Sequence, residues 1–103
     1  MYRVTIDHPI QVMEGGSIEE ALQLSKEWRD KVLLKNPHMI KVDYLLEKQT
    51  HDRYLLLVIY YYKDRNGAEL ASQMMGTLIQ KAWPEESARN AFFTRLQSYI
   101  VRE

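Results

Sequence analysis

The sequence predicts an α+β fold in which one antiparallel sheet carries helices on one face. Stretches of period two and period 3.6 follow one another in the order strand, helix, strand, strand, helix. A chain of 103 residues, 46% hydrophobic and 27% charged, has room for one hydrophobic core, so residues 1–103 read as a single domain. The run from Tyr54 to Tyr62 is apolar on both faces, which a single helical layer would leave half in water. That run predicts a second copy of the chain on the far face of the sheet.

Each element has its own signal. Tyr2-Arg3-Val4-Thr5-Ile6-Asp7 alternates apolar and polar residues, as a half-buried strand does. Pro9 lacks a backbone donor, so pairing ends there or runs along a sheet edge. Gly15-Gly16 frees the chain for a turn. Ser17 and Glu20 form a capping box in which each side chain satisfies an amide of the other. Behind it Ile18, Ala21, Leu22, Leu24, Trp28 and Val32 recur at helical spacing. Asn36-Pro37 stops this helix, because proline turns its predecessor away from helical geometry. Ile40, Val42, Tyr44 and Leu46 share one face of the second strand, Lys41, Asp43 and Glu47 the other. Thr50-His51-Asp52 connects it to the third strand as a hairpin. Asp64-Arg65-Asn66-Gly67 marks a turn and helix entry, and Ala68, Ala71, Met74, Met75, Leu78, Ile79 and Ala82 make a second amphipathic helix. Past Pro84, Ala88, Phe92, Leu96 and Tyr99 keep helical spacing, while Ser98 to Arg102 also reads as a short strand. Residues 84–103 thus stay open between helix and strand.

This order is the ferredoxin-like unit, βαββα(α)β, dimerising through its sheet. Asn36-Pro37-His38-Met39-Ile40-Lys41-Val42-Asp43-Tyr44, the apolar strand from Arg53 to Asp64 and the helix start Ala68 to Leu70 resemble the dimeric α/β-barrel superfamily, in particular its antibiotic-biosynthesis monooxygenases. The resemblance implies a homodimer with two sheets face to face and a ligand cavity between each sheet and its helices. Haem-degrading members of that superfamily carry a tryptophan near the end of the third strand and a histidine on the second helix. Here the strand ends in Tyr60-Tyr61-Tyr62 and residues 68–82 hold no histidine, so haem is not expected, and no other cofactor is.

Composition removes several function classes. Fourteen basic and fourteen acidic side chains cancel, so no net charge draws the protein to nucleic acid or anionic lipid. The third strand also lacks the glycine and basic residues of an RNA-reading strand. The absence of cysteine removes disulfides, thiolate metal sites and a cysteine nucleophile. No apolar run approaches a membrane span and the first residues lack a signal-peptide layout, so a cytoplasmic protein without membrane partners is expected.

His8, His38 and His51 are isolated, with no helical i, i+4 pair to hold a metal, and read as ordinary solvated or hydrogen-bonded histidines, the alternative being a convergent site such as His8 with Asp43. Tyr60 and Tyr62 share one strand face and, with Tyr44 and Trp28, outline an aromatic pocket with hydroxyl handles. Met75 would add an adaptable apolar wall. A Tyr60 hydroxyl facing a cavity suits donation to a developing oxyanion, and Asp43 turned into an apolar cavity would suit a base. All six also read as packing or surface residues. The leading expectation is a small-ligand-binding dimeric barrel acting on a small aromatic compound as a cofactor-free monooxygenase or isomerase. Asp43 and Tyr60 would be catalytic, and Trp28, Tyr44, Tyr62 and Met75 would bind the ligand. The alternative is a non-catalytic homo-oligomeric assembly or regulatory module. A cavity that meets Tyr60 or Asp43 favours the first; a filled core favours the second.

Overall fold

The computed structural model describes residues 1–101. Its elements run β1 (Tyr2–Gln11), α1 (Ile18–Lys31), β2 (Met39–Lys48), β3 (Arg53–Tyr62), α2 (Arg65–Ala82) and α3 (Glu86–Gln97), with a short 3₁₀ turn over Leu33–Lys35. The strands form an antiparallel sheet in the order β1-β3-β2, which makes the two-sided apolar strand the central one. No helix among the described residues is long and apolar enough to cross a membrane.

Proline decides the place of β1. Pro9 sits within the strand opposite Leu55, yet no rung of the ladder to β3 is lost. On this strand the odd-numbered residues turn their backbone groups away from β3. The Pro9 carbonyl accepts from Val101 N–H and Gln11 N–H donates to the Tyr99 carbonyl, each at 2.9 Å. The missing donor of Pro9 therefore falls on the sheet's outer edge, where it costs nothing.

Register sorts the residues onto two faces. Leu56, Val58, Tyr60 and Tyr62 of β3 point toward the helices. Leu56 and Val58 pack with Ile10, Ala21 and Tyr99, while Tyr62 packs with Leu33, Met39 and Ala71. A third cluster, Val32, Leu78, Trp83 and Phe92, joins the three helices to one another. Leu55, Leu57, Ile59 and Tyr61 form an apolar row along the opposite face, each partly buried by its neighbours. Beside them on β2 stand Leu45, which is 56% exposed, and Lys41, whose ammonium lies 4.5 Å from the centre of the Tyr61 ring.

Two elements depart from expectation. A bulge between Met39 and Lys41 pushes Ile40 out of the inner row of β2 and leaves it 50% exposed; Met39 takes the inner place, opposite Tyr62. The last strand shrinks to one bridge, Ile10 to Ile100, because α3 holds the chain helical as far as Gln97. Arg102, where the expected strand ended, lies outside the described residues.

Candidate functional site

A pocket of about 270 Å³ opens between the sheet and α1. Ile6, His8 and Ile10 of β1 with Leu56, Val58 and Tyr60 of β3 make its floor, and Tyr44 of β2 stands at one side. Ala21, Ser25 and Trp28 of α1 form one wall; Leu96, Tyr99 and Ile100 form the wall facing it. Local sequence explains the space. Ala21 and Ser25 are four residues apart and Trp28 three further on, so all three lie on the helix face turned to the sheet. The two small side chains hold the backbone of α1 above Leu56 and Val58 without filling the gap.

The wall opposite α1 is held by a clasp. Ser17 begins α1 as expected, its hydroxyl accepting from Glu20 N–H at 3.1 Å. The other half of the capping box does not form. Tyr99 steps between the partners: its hydroxyl accepts from Ser17 N–H at 3.2 Å and donates to the Glu20 carboxylate, to which Arg95 also donates. The close approach depends on glycine, since a Cβ on Gly16 would lie 2.9 Å from the Tyr99 hydroxyl. Gly15 meets a different demand, a φ of +82° that side chains resist. The paired Arg95 guanidinium, followed by the Tyr99 hydroxyl, holds the Glu20 carboxyl below its ordinary range.

Three of the six candidate residues meet at the pocket: Trp28, Tyr44 and Tyr60. Trp28 presents one side to it and stacks its ring on Trp83, at 6.4 Å and 6° between planes. The Tyr44 hydroxyl is already committed, donating to the Ser25 carbonyl at 2.9 Å, so Tyr44 serves as wall rather than handle. Tyr60 is different. Its hydroxyl makes no hydrogen bond to the described residues, and burial pushes its pKa up to about 12, so the phenol keeps its proton at neutral pH.

The other three candidates lie elsewhere. Tyr62 and Met75 pack into the core between the sheet and α2. Asp43 stands on the opposite face of the sheet, across from Ile59 and 3.5 Å from Lys41, in the solvated setting that a polar strand face implies. The structure thus separates Asp43 from Tyr60, and a base role for Asp43 in this pocket has no geometric support. The reason is strand alternation: Asp43 is the neighbour of Tyr44 and must face the other way.

Sequence reasoning weighed His8 only as an ordinary histidine or as the partner of Asp43, which lies on the other face of the sheet. His8 reads as an isolated histidine near a proline, yet it lies on the inner face of β1 opposite Leu56 and lines the pocket. Its imidazole makes no hydrogen bond to the described residues. Burial, opposed by the neighbouring Asp7 carboxylate, lowers its pKa from 6.5, so it is neutral at pH 7. The signal was available in the alternation Val4, Ile6, His8, Ile10, which puts the histidine in phase with the apolar residues. No protein-family model, curated protein or solved structure matches this chain. Among the described residues the site is an apolar chamber with no charged side chain in its lining, and two polar groups without a hydrogen bond, a neutral imidazole and a neutral phenol, stand on its sheet floor.

Proposed function

We propose that the protein binds a small, uncharged, largely aromatic molecule in the pocket between the sheet and α1. The observation that carries this reading is the pocket's lining: largely aliphatic and aromatic walls from both layers, without a carboxylate, ammonium or guanidinium among the described residues. A charged ligand would lose its hydration there with no partner to replace it. The volume of about 270 Å³ is near the roughly 300 Å³ at which small-molecule sites begin, which favours one or two rings over a large cofactor. A cofactor-free oxygenation or isomerisation of that molecule is the activity the monooxygenase-like resemblance suggests. In such a reaction the Tyr60 hydroxyl would stabilise a developing anion.

The same reading includes a ferredoxin-like plan with its last strand reduced to the Ile100 bridge, and a homodimer packed through the apolar row of Leu55, Leu57, Ile59 and Tyr61. A module that only associates would use that row and have no need of a chamber on the other side of the sheet.

Trp28 supplies the test. Titrating the protein with neutral 2-naphthol should give a saturable shift in amide resonances of the strands and α1 around the chamber, together with a change in tryptophan emission. 2-Naphthoate, charged and of similar shape, should give neither. Ser25→Leu, which fills the chamber, should abolish the response while leaving the thermal transition in place. Failure of every neutral aromatic probe to bind would remove the ligand reading and leave the association module.

A further inference from the structure

The two unpartnered polar groups of the chamber's sheet floor differ in what they offer. A neutral imidazole nitrogen is a better hydrogen-bond acceptor than a phenol oxygen, and a phenol O–H is a better donor than an imidazole N–H. Their positions differ as well. His8 pairs with Leu56 and Tyr60 with Val4, so along adjacent strands they stand two same-face steps apart, with Cα atoms separated by about 14 Å. Between them the floor is apolar, formed by Ile6 and Val58. One end of the chamber thus invites a donor and the other an acceptor, with hydrocarbon in the middle.

We propose, resting on the ligand reading above, that the pocket selects an uncharged, elongated molecule with a hydroxyl at one end and a carbonyl oxygen at the other, the hydroxyl donating to His8 and the carbonyl accepting from the Tyr60 O–H. A para-hydroxyphenyl ketone is the simplest such compound. Its ring lies over Ile6 and Val58, and both polar ends regain the hydrogen bonds they gave up in water. A compound lacking either end covers a polar group of the protein and leaves it unpaired, the situation that discriminates most strongly between otherwise similar ligands.

Protonation of His8 removes its acceptor nitrogen, so the selection depends on pH. The groups around the imidazole are Asp7 beside it on β1, the Tyr44, Tyr60 and Tyr99 side chains lining the same chamber, and the Glu20–Arg95 pair behind Tyr99. The three phenols and Arg95 are shifted upward and Glu20 downward, so none of these five changes charge between pH 5 and 8. That leaves His8 and its neighbour Asp7, and loss of the pH dependence in His8→Leu would assign it to His8.

The experiment is a calorimetric titration of the full chain with 4-hydroxyacetophenone and three relatives: 4-methoxyacetophenone, which cannot donate; 4-ethylphenol, which lacks the carbonyl; and 4-ethylanisole, which lacks both features but keeps the shape. Each loss should weaken binding on the order of tenfold, and the double loss by more. His8→Leu should erase the preference for hydroxyl over methoxyl, and Tyr60→Phe the preference for ketone over ethyl. Binding of the hydroxyketone should weaken as pH falls below 6.5, and this dependence should vanish in His8→Leu. Equal binding of all four compounds by the native protein overturns the inference while sparing the ligand reading, as do preferences that survive in the variants. Binding of none of the four overturns the inference, and the ligand reading with it if 2-naphthol also fails to bind. The native ranking needs no variant, so a misfolded substitution cannot rescue the idea.

Discussion

Asn36 shows how one side chain can join two layers. It is 2% exposed, and both ends of its amide are used: Nδ2 donates to the Ala71 carbonyl on α2 at 2.9 Å, and Oδ1 accepts from His38 N–H at 3.1 Å. The second bond turns the chain at Pro37 toward β2, and the first fixes that turn against α2. Asn36→Ala leaves a buried carbonyl and an amide unpaired and should lower stability on the order of 2–3 kcal/mol. Asn36→Asp should cost more, because a carboxylate cannot donate to Ala71 and carries a charge into the core. Urea unfolding of the two variants checks both the size and the order; an Asn36→Asp variant as stable as the native protein would contradict this account. The sequence marks Asn36-Pro37 as a helix stop, and so it is. Its partner on α2 lies 35 residues away, which no local pattern reveals.

Among the elements, those with a local cause were legible and those with a distant one were not. Helix α1 begins at the expected cap, and α2 begins with the Asp64 carboxylate accepting from Gly67 N–H at 2.7 Å, three residues earlier than the first apolar position suggests. Ile40 falls outside its expected row because a bulge shifts the phase of a strand without changing its composition. Residues 84–103 carry two periods at once, and both are used: helix to Gln97, then a bridge at Ile100. The clasp of Glu20, Arg95 and Tyr99 joins the start of α1 to this last stretch and gives a pH prediction. The Glu20 carboxyl titrates below its unfolded value, so its contribution is present above that value and is lost as pH falls through the lower, folded one. The thermal midpoint should therefore fall on acidification, and Glu20→Gln should flatten the fall. An unchanged acid limb in that variant would show that the clasp does not contribute.

For the whole molecule, the class and the order of the first five elements follow from period and punctuation. The chamber does not, since it exists only where the small side chains of α1 meet a floor built from β1 and β3. Of the six candidate residues Trp28, Tyr44 and Tyr60 line the chamber: aromatic residues on the inner faces were legible, but Asp43 could be assigned to the outer face only once the role of its neighbour Tyr44 was fixed. The open face carries the remaining prediction. If two copies pack through it, light scattering at micromolar concentration should return twice the 12.3 kDa chain mass, and Ile59→Lys, placing a charge at the centre of the row, should return the single value. A native protein that scatters as one chain would remove the dimer and leave the chamber untouched.

Synthesis begins at the amino end, so Ser17 leaves the ribosome long before Tyr99, its partner 82 positions later. Until Leu96 to Ile100 emerge, a newborn chain has a floor and one wall but no room to offer a guest. A small molecule of the right shape would thus favour only copies in which Leu96 to Ile100 have closed against the earlier strands and α1.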